Sequence, residues 1–351
     1  MGLVATGQYI PSSFQSAEDV ARATAIPVDV IREKFGISRK PRAAEHESAS
    51  YMAVQAARQC LMEARQDPTG VDVVLWTGSE HKDHYVWSAG IKVQHELGCV
   101  NAWATDVASR CATNIVSLKL AKDIIRSDRR VNTVLLAGGH RTTDLIDFAN
   151  QNTRFMFNFS DAGSAMLVKR MAGAADNVAA GGDAGEAGEE AGAEEGGGMA
   201  GGGWAELLET AVITDGAFSE DVIIPPGRKY FDVPDPDGLK QRLDPVSMRN
   251  FAKVIRDAVE GSGYGLQDIG YLALLHMKRS AHDTVLREIG LAPEKSIYLS
   301  DYGHVGAPDQ VISLRLAQER GLIRRGDLVV LASAGIGYTW AASALRWGEV
   351  R

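Results

Sequence analysis

Between Ser48 and Arg65 apolar positions return every three or four residues. Met52, Ala56 and Cys60 fall on one face, with Ala53, Ala57, Leu61 and Ala64 beside it, which predicts a half-buried helix. The short apolar run Val71–Thr77 predicts a buried strand. Ala89–Leu97 reads as a helix and Ala102–Val107 as a short strand. A helix over Cys111–Arg126 follows, with Ile115, Leu118 and Ile125 on its apolar side, then strands at Val131–Gly138 and Ser164–Lys169. Further along, the pattern predicts a helix over Pro245–Gly261, a strand over Ile269–Leu275 and a helix over Arg279–Gly290. A short strand at Ser296–Leu299, a helix at Pro308–Arg320, and strands at Asp327–Ser333 and Thr339–Trp347 complete it.

Both stretches read helix, strand, helix, strand, helix, strand, strand. From Val71 to Val131 is 60 residues and from Ile269 to Asp327 is 58. Two α/β units of shared order and spacing point to a duplicated fold with pseudo-two-fold packing; two independent nucleotide-binding-type domains would give the same string.

The halves, residues 1–170 and 204–351, are separated by a segment of different character. Residues 171–203 are Gly, Ala and Glu with almost no large apolar side chain. They cannot bury enough surface to offset the entropy of ordering, so a flexible insertion is expected. The formal net charge is -8, and this segment holds seven acids (Asp176, Asp183, Glu186, Glu189, Glu190, Glu194, Glu195) and no base. Taking those seven from -8 leaves -1 for the folded body. Nothing in that balance suits nucleic acid, and no apolar run approaches the roughly 20 residues of a membrane helix. No signal-peptide pattern opens the chain. A cytoplasmic protein is expected.

The three cysteines are too few for a disulfide framework and lack metal-ligand spacing. Cys60 and Cys99 read as small buried hydrophobes. Cys111 differs, because it stands where the third helix of the first half begins. The positive end of a helix lowers a thiol pKa, a thiolate there suits thioester exchange, and the free amides of the same turn can hold an oxyanion. At the matching point of the second half stands His304, and His276 ends the strand before it. If the halves pack about their pseudo-axis, Cys111, His276 and His304 converge at the carboxyl ends of strands. The turn Ala334-Gly-Ile-Gly-Tyr-Thr-Trp340 permits close backbone approach. Elsewhere, His81 and His84 have metal-like spacing without further ligands, so no metal is expected. His282 reads as a solvated helix position. His140, after a strand and two glycines, reads as a packed histidine or as one beside a ligand.

At these positions the chain resembles β-ketoacyl-acyl carrier protein synthase III and its thiolase-superfamily relatives. Asp106-Val-Ala-Ser-Arg-Cys-Ala-Thr113 is similar to the nucleophile motif, and Phe159-Ser-Asp-Ala-Gly-Ser-Ala165 to the Phe-Gly-Asp-Gly-Ala-Gly-Ala segment. Gly335-Ile-Gly-Tyr-Thr-Trp340 resembles the C-terminal glycine loop, and Phe35-Gly-Ile37 the Thr-Gly-Ile near the start. The resemblance implies a five-layer αβαβα thiolase fold, a homodimer, and an acyl group carried on Cys111. It makes His276 the family histidine and puts His304 where the family has asparagine, a set similar to the Cys-His-His of elongating synthases. The backbone amides of Cys111 and Ile336 would form the oxyanion hole.

The resemblance further implies that Cys111 takes an acyl group from a coenzyme A or acyl carrier protein thioester, with no cofactor. A malonyl-type thioester then loses carbon dioxide, with His276 and His304 on its carbonyl oxygen, and the carbanion attacks the acyl-cysteine. Two alternatives are an acyltransferase passing the Cys111 acyl group to oxygen or nitrogen, and a non-catalytic partner subunit of another synthase. Substrate contacts are less family-like. Arg110 replaces a small residue beside the nucleophile. The tryptophan that stacks on adenine falls near Val30 and the arginine nearby on Lys34. Arg154, Lys278 and Arg279 are the remaining candidate phosphate contacts.

Overall fold

A computed structural model describes residues 1–79, 83–171 and 205–348. The first half runs β1 (Gly2–Tyr9), β2 (Phe14–Ser16), α1 (Ala17–Thr24), α2 (Val28–Val30, continued by a π-turn over Ile31–Phe35), β3 (Arg39–Pro41), α3 (Ala49–Glu63), β4 (Val73–Trp76), α4 (Ala89–Leu97), β5 (Trp103–Asp106), α5 (Thr113–Ser127), β6 (Thr133–Arg141) and β7 (Asp161–Lys169). The second runs β8 (Ala205–Thr214), α6 (Pro236–Gly261), β9 (Ile269–Leu274), α7 (Arg279–Glu288), α8 (Asp309–Glu319), β10 (Leu328–Gly335) and β11 (Thr339–Trp347).

The strands of the main sheet stand in the order β5-β4-β6-β7-β1-β8-β11-β10-β9. Outward from its centre, each side shows the same pairings. β1–β7 and β7–β6 are antiparallel and β6–β4 parallel; β8–β11 and β11–β10 are antiparallel and β10–β9 parallel. The two half-sheets are joined where Gly2 and Leu3 of β1 pair with Glu206 and Ala205 of β8. This is the predicted duplication. Residues 172–203 and His81 lie outside the described residues.

Three buried clusters define the layers. Between the half-sheets, Ile115 and Leu118 of α5 and Val311 and Leu314 of α8 pack with Val73 and Leu136 of one half and Tyr271 and Leu331 of the other. α3 and α4 cover the far face of the first half-sheet, and α6 and α7 that of the second. The arrangement is αβαβα, with β4 buried on both faces, as expected of parallel strands covered by helices on each side. α3 lies so close to the sheet that a Cβ at Gly7 would come 2.0 Å from Ala56 O and one at Gly139 1.9 Å from Ala49 O.

Two expectations are corrected. Ser296–Leu299 forms no strand, and just beyond it the main chain at Ser300 accepts from Ser38 N–H at 2.8 Å. α6 begins at Pro236, not at Pro245. Asp235 caps it by accepting from Gly238 N–H at 2.9 Å, and Pro245 sits inside the helix on its exposed side.

Candidate active site

Cys111 occupies a 3₁₀ turn, Arg110–Ala112, between β5 and α5. Arg110 holds φ at 55°, a left-handed conformation that costs a non-glycine residue of order 1–3 kcal/mol and persists where surrounding contacts enforce it. Those contacts are present. Thr113 Oγ1 donates to Arg110 O at 2.6 Å and accepts from Ser109 N–H at 3.0 Å, and Ser333 Oγ donates to Cys111 O at 2.8 Å. The end of β10 passes so close that a Cβ at Gly335 would lie 2.4 Å from Ser109 O and 3.2 Å from Cys111 N. Ile336 follows directly and lines the same cavity as Cys111.

His304 Nε2 stands 3.0 Å from Cys111 Sγ, and its Nδ1 is 2.6 Å from Asp309 Oδ2. Nδ1–H donates to the carboxylate, which leaves Nε2 to exchange a proton with sulfur. Asp309 is fully buried in the first turn of α8 and also accepts from Val305 N–H at 2.9 Å and His276 N–H at 2.8 Å. Burial alone would lower the His304 pKa, but the charges of Cys111 and Asp309 and its bonds to both hold it well above the ordinary histidine value.

The loop before β7 fixes His304 in place. His304 N–H donates to Asn158 O at 2.8 Å, Ser160 N–H to His304 O at 2.9 Å, and the Phe159 ring meets the imidazole edge-on at 5.0 Å. Gly303, at φ 63°, lets the two chains approach, since a Cβ there would fall 2.5 Å from Asn158 O. Beneath this loop Lys40 Nζ donates to Phe157 O and Phe159 O, each at 2.7 Å, and burial lowers its pKa to about 7 against the opposing pull of Asp161.

His276 does not join this relay. Its Nε2–H donates to Gly36 O at 3.1 Å, so its Nδ1 accepts from Asn158 Nδ2 at 3.1 Å. Both ring nitrogens are occupied, and burial pushes its pKa down to about 4. The expected His276–His304 pair on one carbonyl oxygen is thus reduced to His304. His282, expected to be solvated, is also buried, its ring 5.2 Å from that of Tyr298.

Cys111 and Ile336 open onto a cavity of about 870 Å³. One wall comes from the ends of β4 and β6 and the residues just beyond (Ser79, His140, Thr142). The other comes from the segment Val222–Pro226 with Phe231 and is largely apolar.

Two family models match the chain: "3-Oxoacyl-[acyl-carrier-protein (ACP)] synthase III" over residues 105–181 and the "synthase III C terminal" model over 259–347. The first spans Cys111 and the loop that clamps His304; the second spans His276, His304, Asp309 and the Gly335 turn. The β-ketoacyl-[acyl-carrier-protein] synthase III of Aquifex aeolicus is 25% identical over 347 residues, covering 98% of this chain and 99% of the relative. That of Symbiobacterium thermophilum is 26% identical over 360 residues, covering 99% and 98%. The crystal structure of the Thermus thermophilus synthase III superposes with a TM-score of 0.82 at 22% identity, covering 100% of both chains. The chain carries both parts of the 3-oxoacyl-acyl carrier protein synthase III model and is similar along nearly its whole length to β-ketoacyl-acyl carrier protein synthase III.

Within this synthase III-like frame the basic candidates separate. Arg110 lines the cavity, joined by Arg228 and Lys229. Lys34, Arg154, Lys278 and Arg279 are exposed outside its lining, and Arg279 pairs with Asp283 at 2.9 Å while covering the Tyr298 ring. Sequence reasoning missed Asp309, Asn158 and the 222–231 wall. Asp309 had a signal in hindsight: an acid opening a helix directly after Pro308, five residues past His304. The wall had none, because it carries no periodicity.

Proposed function

We propose that this protein is a condensing acyltransferase that loads an acyl group from a thioester onto Cys111 and joins it to a malonyl-type thioester. The observation that carries this reading is the 3.0 Å approach of His304 Nε2 to Cys111 Sγ. His304 takes the thiol proton, and sulfur attacks the thioester carbonyl. The oxyanion forms against the Cys111 and Ile336 amides and collapses, and the carrier leaves as a thiolate that solvent protonates, so His304 keeps the proton it took from Cys111. The malonyl-type thioester then occupies the cavity. Its carboxylate carbon–carbon bond breaks, carbon dioxide leaves, and the electron pair remains as an enolate whose oxygen accepts from protonated His304 Nε2–H. The enolate carbon attacks the acyl-cysteine carbonyl, a carbon–carbon bond forms, and the Cys111 thiolate is expelled. Acylation removes the sulfur charge, so in this second half Asp309 alone keeps His304 protonated.

The donors are coenzyme A or acyl carrier protein thioesters, no cofactor takes part, and the enzyme works in the cytoplasm as a homodimer. For the dimer, Ile91, Val100 and Trp103 remain exposed on or near edge strand β5, where a second copy would cover them; no described helix is long and apolar enough to cross a membrane. One observation favours a second reading: the His304–Asp309 contact also suits a general base for an alcohol or amine acceptor. Intact-protein mass spectrometry decides. An acyl thioester should add its acyl mass to the wild type and not to Cys111→Ala, and a malonyl donor should then release carbon dioxide. Loading without carbon dioxide release, together with transfer to an alcohol or amine, would replace condensation by acyl transfer.

A further inference from the structure

Lys40, on β3, is 0% exposed and forms no part of the wall of the Cys111 cavity. Its Nζ donates to Phe157 O and Phe159 O, each at 2.7 Å, so one side chain grips the carbonyls on either side of Asn158. The Phe148 ring centre stands 5.2 Å from the same nitrogen, a contact that favours a cation. The stem of Lys40 reaches the other arm of the site, because a Cβ at Gly303 would fall 3.3 Å from Lys40 Cβ. Lys40 therefore touches both chain segments that meet at His304.

An isolated parallel bridge joins Phe159 to His304 across those segments. His304 N–H donates to Asn158 O at 2.8 Å, Ser160 N–H donates to His304 O at 2.9 Å, and Ser160 Oγ donates to Tyr302 O at 2.6 Å. The bridge has no strand ladder beside it to set its spacing, and the lysine supplies that restraint from below. Burying a lysine is costly unless its donors are used, and here two of them are used on the tripeptide that carries the bridge. The ring so held puts Nε2 3.0 Å from Cys111 Sγ. Proton transfer needs that hydrogen-bond reach, and a shift of ~1 Å from a change away from the chemistry can cost about 10²-fold.

We propose that Lys40 is a positioning residue, which keeps His304 Nε2 within reach of Cys111 Sγ by gripping the carbonyls of Phe157 and Phe159. This rests on the reading of His304 as the base that activates Cys111. Lys40 acts through His304 alone, so its loss should matter only while His304 is present.

The test measures two rates on Cys111 by mass spectrometry: alkylation by iodoacetamide, which needs no acyl substrate, and loading from an acetyl or butyryl pantetheine thioester. Cys60 and Cys99 are buried, so Cys111 is the thiol that reacts first. Lys40→Met should slow both rates by about 10–10²-fold. In His304→Ala, adding Lys40→Met should change neither rate by more than about twofold, because residues that act through one another are not additive. Lys40→Gln, whose amide N–H can still reach a carbonyl, should fall between Lys40→Met and the wild type. Lys122→Met removes another buried lysine, one that donates to Leu208 O at 2.6 Å outside the cavity wall, and should keep wild-type rates. Wild-type rates of alkylation in folded Lys40→Met, or in Lys40→Gln if the first does not fold, would overturn the proposal. So would the same fold-loss with and without His304, an equal loss in Lys122→Met, or failure of both Lys40 variants to fold. Alkylation that depends on Lys40 and His304 without any acyl loading would sink the acyl-carrier reading and leave Lys40 its role. Acyl loading that proceeds while Lys40→Met changes neither rate would do the reverse, and alkylation indifferent to His304→Ala would overturn both.

Discussion

Asp309 Oδ2 accepts from His304 Nδ1 at 2.6 Å and, through the same oxygen, from the His276 main-chain N–H at 2.8 Å. One carboxylate thus orients the ring that faces Cys111 and ties it to the end of β9. Asp309→Asn removes the charge while retaining a side chain of the same shape. We predict that it slows decarboxylation of a malonyl donor by about 10²–10⁴-fold, the usual worth of a positioned acid or base. Loading of Cys111 should suffer less, because a neutral imidazole can still take the thiol proton. Single-turnover acylation and carbon dioxide release, measured separately, check the split; equal losses in both would contradict it.

His276 should behave as a structural residue. His276→Phe leaves Gly36 O and Asn158 Nδ2 unpaired, at about 1–3 kcal/mol for each buried group, so the protein should melt at lower temperature. His276→Gln can restore one bond and should recover part of that loss. Loading of Cys111 by His276→Gln should stay within about tenfold of wild type, whereas His304→Ala should lose about 10²–10⁴-fold. Abolished chemistry in a stably folded His276→Gln would show that the ring turns toward the substrate.

What could be read from the sequence follows from where each signal resides. Periodicity located α4 and β11 to the residue, because their apolar spacing is unambiguous. It missed β1 and β8, which seam the half-sheets, because each mixes glycine or polar residues with its apolar ones. Cys111 and His304 were legible because both precede helices at matching points of a repeat. The turning of His276 was not, since it depends on the Gly36 carbonyl 240 positions away and on Asn158 118 away. Such contacts leave no local trace in the chain.

The insertion should be removable. β7 ends at Lys169 and β8 begins at Ala205, and β1 lies between them, so the two ends stand about two strand spacings, ~10 Å, apart. Four to six residues span that distance at ~3.3 Å each. Replacing residues 172–203 with a Gly-Ser linker of about six should leave melting temperature and loading of Cys111 nearly unchanged, as lengthening a loop costs only ~0.6 kcal/mol per doubling. A large drop in either would assign the segment a part in folding or in the site.

Acid should unfold the protein through its buried neutral histidines. Burial lowers the pKa of His140, His276 and His282 from 6.5 to about 4 each. Between about pH 6.5 and 4 the unfolded chain binds protons that the folded chain refuses, so stability falls as pH falls through that window. His304 works in the opposite sense. Its raised pKa adds stability that is fully present below 6.5 and is lost as pH rises through the folded value. Lys40, lowered to about 7 by burial, is protonated in both states at the acid end of the range and adds no slope there. His282 isolates the effect, because it lies on α7 and its ring touches Tyr298, away from the cavity lining. His282→Phe removes one of the three groups, so the fall in unfolding free energy over pH 6.5 to 4 should become shallower by up to about 1.4 kcal/mol per pH unit, one proton's worth. Urea unfolding of wild type and variant across that range measures both slopes, and an unchanged slope would mean that His282 titrates normally in the folded protein.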